Sequence, residues 1–210
     1  MIGGWSCEKS VLWHAGASSV GIAGVQLCAA EGRRKRKQKQ DDGELGGKVY
    51  VTASTAEKID FCKGLGADGG FNYKTTKWDE EVLKATGGKG VDLIIDFVGG
   101  GYFGQNLNAV ARDGRVVVLG FLGGTKVDAG VDIGAFVRKR CRVEGSSLRS
   151  RDLGYQGRLR DLLEERVVPG IVSGELKVVI ERVFDWRDVG GAHELMESNQ
   201  TKGKIICVVT

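Results

Sequence analysis

Small and hydroxyl-bearing residues follow a short apolar run near the start of the sequence, in the stretch VLWHAGASSVGIAGVQLC at residues 11–28. This order predicts a strand, a tight turn and a helix. In such a turn Ser18 or Ser19 would cap the helix, and Gly21 would let the helix pack closely on the strand. The helix amides would then face a phosphate. The full G-x-G-x-x-G pattern is absent, so a pyrophosphate cradle and a ligand-free turn both stay open.

The end of the second predicted strand bears on which dinucleotide would fit. The stretch VYVTAST ends in small residues at 53–55, where proteins that prefer NADH usually carry an acidic residue for the ribose diol. Lys58 follows one helical turn later. Small residues beside a cation suit a 2′-phosphate, so the sequence favours NADPH over NADH. Lys58 also has an ordinary alternative, as a solvated side chain paired with Glu57 or Asp60.

Residues that bind metals or move protons are few. The two histidines, His14 and His193, are far apart in the sequence, and the five cysteines are scattered without a C-x-x-C pair. This distribution argues against a zinc site and predicts free thiols in a reducing, cytoplasmic setting. His14 falls in a predicted buried strand and His193 on a predicted helix, so both are interpreted as structural. No side chain is predicted to be a catalytic acid or base.

The net charge of +4 has a single source, the run RRKRKQK at residues 33–39. Because this run supplies six positive charges, the rest of the chain carries −2. It lacks the aromatic side chains that stack on bases, and no nucleic-acid partner is predicted. We expect the segment 32–47 to be a disordered basic insert, or translated non-coding sequence. No apolar run is long enough to span a membrane, and no membrane partner is predicted.

Strand-like and helix-like segments alternate along most of the chain, which predicts a parallel sheet with helices on both faces. The predicted strands include KVYVTAS, VDLIID and RVVVLG, and helices are predicted over residues 19–30 and 102–111. Several strands end in glycine or serine, at the edge where open α/β sheets bind ligands. The expected fold is α/β, a doubly wound Rossmann-type parallel sheet at 1–170. The rhythm changes from about Gly170, which predicts a small appended unit at 171–210.

Seven stretches, in the order of the sequence, resemble the zinc-free medium-chain dehydrogenases/reductases. The resemblance is to their quinone oxidoreductases, and among these to the tumour-suppressor-inducible type. The stretches are VLWHAGASSVGIAGVQL, VTASTAEKIDFC, LGADGGFNYKT, GKGVDLIIDFVGG, GRVVVLGFLGGTKV, FVRKRCRVEGSSLRSRD and AHELMESNQTKGKI. They cover nearly the whole chain except about 32–47. The resemblance implies a Rossmann-type NADPH-binding domain followed by a C-terminal part of the catalytic domain.

The resemblance also assigns cofactor-binding residues by position. It implies pyrophosphate contacts from the first turn, 2′-phosphate contacts beyond the second and third strands, and nicotinamide contacts from two later turns. A closing loop and one lysine of the last strand complete the set. In that order these are Ser18, Ser19, Val20 and Gly21; Ser54, Lys58 and Tyr73; Phe97, Val98, Gly99, Gly120, Phe121 and Leu122; Ser147, Leu148, Arg149 and Ser150; and Lys204. Tyr73 would alternatively be an ordinary strand-end aromatic, and Arg149 a solvated cation.

For function, the resemblance implies an oxidoreductase that transfers a hydride from NADPH to a quinone or a related activated carbonyl or alkene. Family members form homodimers and carry an amino-terminal, partly β-barrel domain before the first strand of the sheet. We expect this domain to be missing here and turnover to be impaired. The alternative is a non-catalytic NADPH-binding or dimerisation module.

Overall fold

Strands and helices alternate through most of the structure. The computed structural model describes residue 6, residues 8–39 and residues 47–209, and for residues 35–39 the backbone alone. In this part of the chain the strands are β1 (Val11–Trp13), β2 (Val49–Ala53), β3 (Gly69–Asn72), β4 (Val91–Asp96), β5 (Val110–Val118), β6 (Arg142–Gly145), β7 (Ile180–Asp185) and β8 (Lys204–Val208). The helices are α1 (Ser19–Lys39), α2 (Ala56–Gly64), α3 (Trp78–Ala85), α4 (Phe103–Ala109), α5 (Ala135–Lys139), α6 (Leu153–Arg166), α7 (Val168–Val172) and α8 (Val189–Glu197).

Six parallel strands form the main sheet, in the order β3-β2-β1-β4-β5-β6. In the centre of this sheet, Val11 of β1 is paired with Val49 of β2 on one side and with Leu93 of β4 on the other. The chain crosses from one outer edge to the other side of β1 between β3 and β4. This reversal opens a crevice at the carboxyl ends of β1 and β4, the usual ligand position in such sheets. The prediction of a doubly wound Rossmann-type α/β fold is confirmed.

Alternating side chains along the strands divide the core into two layers, as the two-residue period of a strand requires. Val11 and Trp13 of β1 pack with α1 and α2, where Val25 and Cys62 are buried. Leu12 of the same strand points to the opposite face and belongs to the cluster that includes Trp78, Val82 and Leu107 of α3 and α4. Helices therefore cover the sheet on both faces, and the turns at the strand ends lie at its edges.

A second, two-stranded parallel sheet of β7 and β8 follows, with α8 between its strands. The Gln26 side chain of α1 attaches this part to the main sheet. Its Oε1 accepts from Lys177 N at 2.7 Å and its Nε2 donates to Lys177 O at 3.0 Å. Gly203 also bridges to Ser18, the residue before α1. The domain boundary at 170/171 stays a prediction.

Helix α1 is longer than the sequence analysis predicts. It continues through Gly32 to Lys39, so the first half of the expected disordered insert is helical, and that part of the expectation is wrong. Arginine, lysine and glutamine are good helix formers, and cations near a helix C-terminus interact favourably with its dipole. Arg33 and Arg34 lie 3.6 Å from the Glu175 carboxylate. Residues 40–46 of the insert lie outside the described residues.

Candidate functional site

The turn between β1 and α1 presents the start of a helix at the carboxyl edge of the sheet. Ser18 caps this helix, because its Oγ accepts from Gly21 N at 3.1 Å. The first intrahelical bond runs from Ile22 N to Ser18 O at 2.8 Å, so the amides of Ser19 and Val20 come before it. Amides in this position, together with the helix dipole, suit an anion.

Glycine is required twice in this turn because backbone and side chains approach closely. A Cβ on Gly21 would lie 2.5 Å from Ala15 O, and one on Gly16 would lie 2.5 Å from Val51 Cβ. Real carbon atoms do not approach so closely, so either substitution would displace the turn. Gly16 and Gly21, the first and last glycines of the G-x-G-x-x-G pattern, therefore give this turn its shape, although Ser18 occupies the position of the middle glycine.

The predicted 2′-phosphate residues Lys58 and Tyr73 meet a residue of the C-terminal segment, Asn199. Lys58 Nζ donates to Asn199 O at 2.7 Å, and Asn199 Nδ2 donates to Tyr73 Oη at 3.4 Å. Asn199 has a φ of 54°, the left-handed conformation that commonly ends a helix, here α8. Ser54 is buried at the end of β2. The sequence analysis missed Asn199, because its position beside Lys58 depends on the fold.

Charged groups of both signs surround Lys58: the ammonium groups of Lys74 and Lys202 and the carboxylates of Glu57 and Glu181. Lys58 is only 8 % exposed, and burial lowers its pKa. The neighbouring ammonium groups of Lys202 and Lys74 also lower its pKa, while the carboxylates of Glu181 and Glu57 raise it. Lys202 is held by Glu57, with 2.6 Å between Nζ and Oε1. A buried lysine whose pKa is lowered is a group that a further anion would stabilise.

The turns after β4 and β5 are joined to each other at the carboxyl edge. Phe97 O accepts from Leu122 N at 2.9 Å, and Val98 O accepts from Gly123 N at 2.8 Å. Gly99 has a φ of 82°, and a Cβ there would lie 2.7 Å from the Phe121 ring. The structure thus brings the two sets of predicted nicotinamide residues, 97–99 and 120–122, into one surface.

Below the 97–99 turn lies a chain of buried polar side chains. Asp96 accepts from Val98 N at 2.7 Å, from Gly99 N at 3.1 Å and from Asn106 Nδ2 at 2.9 Å. Asn106 Oδ1 is 2.8 Å from His14 Nε2, and His14 Nδ1 is 3.0 Å from Thr52 Oγ1. These hydrogen-bonded side chains connect the ends of β4, β1 and β2 through Asn106 of α4. The sequence analysis assigned a structural role to His14 and missed the other three.

The remaining predicted residues lie further along the edge. Ser147–Ser150 form an exposed segment after β6, joined to β5 through the bond from Ser146 N to Val118 O at 3.0 Å. Lys204 lines a groove of about 180 Å³ between α1 and the C-terminal part, which it shares with Ser19 and Gln26. The structure therefore places Lys204 beside the first turn of the site.

Two searches of the described residues concern other kinds of site. Among residues 6, 8–39 and 47–209, no three His, Cys, Asp or Glu side chains cluster in a way that would hold a metal ion. In the same part of the chain, every helix is too short or too polar to cross a lipid bilayer.

Comparison with known proteins agrees with this geometry. The family model described as zinc-binding dehydrogenase matches residues 44–165, more than half of the chain. The chain therefore belongs to this family, a part of the medium-chain dehydrogenases/reductases. The described residues offer no cluster that fits the zinc of the family's description.

Individual relatives include dehydrogenases and quinone oxidoreductases. The chain is 29% identical to a zinc-type alcohol dehydrogenase-like protein of Schizosaccharomyces pombe, over 77% of this chain and 44% of the relative. It is 28% identical to quinone oxidoreductase 1 of Escherichia coli, over 96% and 57%. The crystal structure of Escherichia coli quinone oxidoreductase with NADPH matches with a TM-score of 0.74 and 28% identity, covering 96% of this chain and 58% of that one. The chain thus spans about half the length of these relatives.

Proposed function

We propose that the chain is the NADPH-binding part of an oxidoreductase that transfers a hydride to a quinone or a related activated carbonyl or alkene. The observation that carries the proposal is the meeting of Lys58, Tyr73 and Asn199 beside the β1–α1 turn. It places a buried lysine near a helix N-terminus at the carboxyl edge of the sheet. The Escherichia coli relative of known structure is itself a complex with NADPH.

NADPH fits this pocket better than NADH does, because the additional phosphate would meet positive charge. Lys58 would donate to the 2′-phosphate in place of Asn199 O, and Lys74 and Lys202 would add favourable charge. The end of β2 offers Ala53, Ser54 and Thr55, and none of these is an acid that would hold the ribose diol. The amides of Ser19 and Val20 would bind the pyrophosphate.

The other end of the site suits flat apolar groups. Phe121, Leu122 and Leu148 are 59%, 82% and 54% exposed at the carboxyl edge. When bound, NADPH supplies a hydride, and these side chains would orient its nicotinamide ring and exclude water from one side. A quinone or an activated alkene is an acceptor of matching shape and polarity.

Three finer points belong to this proposal. They are the choice of a quinone as acceptor, the tumour-suppressor-inducible type within the quinone oxidoreductases, and a homodimer. The outer edge of β6 has no further strand beside it among the described residues, and a second copy paired at this edge would extend the sheet.

Replacing Lys58 tests the cofactor assignment. We expect Lys58→Ala to weaken NADPH binding about tenfold or more and to leave NADH binding nearly unchanged, because only NADPH has the 2′-phosphate. The matched control is Lys63→Ala on the same helix, where the lysine is exposed and paired with Asp60. Titration of each variant with both cofactors, followed by nicotinamide fluorescence, measures the effect. Equal losses for NADPH and NADH would contradict the assignment.

Binding and turnover separate this enzyme from the alternative, a non-catalytic NADPH-binding module. NADPH oxidation by a small ortho-quinone, measured on a preparation whose NADPH affinity is known, distinguishes them. Binding accompanied by quinone-dependent oxidation supports the enzyme. Tight binding without oxidation of NADPH by any quinone or enone favours the binding module.

A further inference from the structure

The hydrogen-bonded side chains of Thr52, His14, Asn106 and Asp96 are named the polar chain here. The Asp96 carboxylate at one end determines which group of each pair donates. A carboxylate only accepts hydrogen bonds, so Asn106 must turn its Nδ2 toward Asp96 and its Oδ1 toward His14. His14 must then donate from Nε2, which leaves Nδ1 to accept from the Thr52 hydroxyl. Each donor therefore points toward Asp96, and a neutral His14 in a single tautomer satisfies the chain.

Burial shows that the polar chain needs all its members. Thr52, His14, Asn106 and Asp96 are each at most 1% exposed. Removing one member would leave its neighbour buried without a partner, which is costly in the interior of a protein. Trp78 and Tyr102 pack against the His14 ring at centroid distances of 4.7 and 4.9 Å, so the ring has little room to turn.

The polar chain ends on the backbone of the 97–99 turn and stabilises the shape of this turn. The Asp96 carboxylate accepts from the amides of both Val98 and Gly99, which fixes the turn immediately after β4. The 97–99 turn also affects where the Phe121 ring lies, because Gly99 leaves space for this ring. A polar chain that ends on two backbone amides is placed to set the position of a loop.

We propose that Thr52, His14 and Asn106 are positioning residues that act through Asp96 to hold the 97–99 turn in the shape that binds the nicotinamide end of NADPH. This inference rests on the proposed function, because that function places the nicotinamide at this turn. All three side chains are buried, so they would act on the cofactor only through the turn. Among the described residues, none of the three side chains hydrogen-bonds to Lys58 or Asn199, which would bind the adenosine end.

Breaking the polar chain at its centre tests the proposal with two ligands. In Asn106→Leu we expect NADPH affinity to fall about tenfold and affinity for adenosine 2′,5′-bisphosphate, which lacks the nicotinamide, to change less than about twofold. Asn108→Leu is the matched control. Asn108 lies on the same helix and bonds Asp79 outside the polar chain, with 2.8 Å between Nδ2 and Oδ2. A purely structural role would weaken both ligands alike, and that result would overturn the proposal.

A gentler pair of variants guards against misfolding of Asn106→Leu. Thr52→Val removes the donor to His14 with little change of shape, whereas Thr52→Ser retains the hydroxyl. We expect the valine variant to weaken NADPH binding selectively and the serine variant to bind as the unchanged chain does. Equal behaviour of the two variants would overturn the proposal.

Hydrogen exchange of the Val98 and Gly99 amides gives a readout without any ligand. We expect Asn106→Leu, or Thr52→Val if the former does not fold, to accelerate exchange of these two amides about tenfold, with the sheet amides unchanged. Unchanged exchange would contradict the proposal. If the unmodified protein binds no NADPH, the proposed function is wrong. The exchange experiment still shows in that case whether the polar chain holds the 97–99 turn.

Discussion

His14 has no contact with solvent, and burial is the main cause that lowers its pKa. The hydrogen bond with Asn106 and the negative charge of Asp96 raise the pKa, but less than burial lowers it. In the unfolded chain the imidazole would titrate near its ordinary value of about 6.5. The folded state therefore binds fewer protons than the unfolded state when the pH falls below that value.

This difference predicts how stability depends on pH. The contribution of a neutral His14 is fully present above about pH 6.5 and is lost as the pH falls toward the lowered pKa, by at most about 1.4 kcal/mol per pH unit. We expect His14→Gln to remove this part of the dependence. Urea unfolding of both proteins between about pH 7.5 and about pH 5 measures it, since His193 is retained in both and cancels in the difference. A difference in stability that stays constant with pH would contradict the prediction.

At the scale of elements, a glycine at the start of a helix and a glycine inside a helix have different roles. In the β1–α1 turn, Gly21 faces backbone oxygen, whereas Gly157 in the middle of α6 has nothing within 4 Å of an added Cβ. Glycine is needed at position 21 because the backbone approaches it closely. At position 157 glycine only lowers the helix propensity of α6 and allows no closer packing.

The two glycines therefore predict opposite effects of the same substitution. We expect Gly21→Ala to lower the free energy of unfolding by about 1–3 kcal/mol and to weaken NADPH binding, because the phosphate-facing turn must shift. Gly157→Ala should raise the free energy of unfolding by about 0.4–1 kcal/mol, since alanine restricts the unfolded chain. Denaturant titration measures both. A Gly21→Ala protein as stable as the parent would show that the turn can relax.

Periodicity predicted some elements well and missed others. VDLIID, predicted as a strand, is β4 with the same bounds, because the consecutive apolar residues 93–95 are typical of a central strand buried on both faces. Helix α6 was not predicted. None of its side chains is buried, so its sequence lacks the apolar stripe that reveals a helix. Its start is set locally, by Asp152 Oδ1 accepting from Tyr155 N at 2.7 Å.

At the scale of the whole molecule, polar contacts join the C-terminal part to the main sheet and its helices. Gln26 makes two of them with the backbone of Lys177 while being only 6% exposed. We expect Gln26→Leu to lower the free energy of unfolding by about 1–3 kcal/mol, because both backbone groups would lose their partner. Gln156 of α6 is only partly buried and donates to Arg151 O at 2.9 Å, so Gln156→Leu provides a control with a smaller effect. Equal losses in the two variants would contradict this role of Gln26.

Contacts between the C-terminal part and the main sheet also form one side of the candidate site. The segment from Asn199 to Gly203 crosses the carboxyl edge of the main sheet, with Asn199 on Lys58, Lys202 on Glu57 and Gly203 N donating to Ala17 O at 3.1 Å. Asn199 and Lys58 are 141 residues apart in the sequence. The C-terminal part, which the sequence analysis treated as an appendage, thus supplies one side of the proposed adenosine pocket.

The sequence by itself determined the doubly wound α/β fold, the turn at Ser18–Gly21 and the importance of the strand ends. These follow from local signals: apolar periodicity, small residues after strands, and a hydroxyl before a helix. Only the tertiary structure decided the partners of Lys58, the polar chain below the 97–99 turn and the course of α1 beyond Ala30. The physical reason is that buried polar side chains find their partners across different elements, and no spacing within one element records which groups will meet.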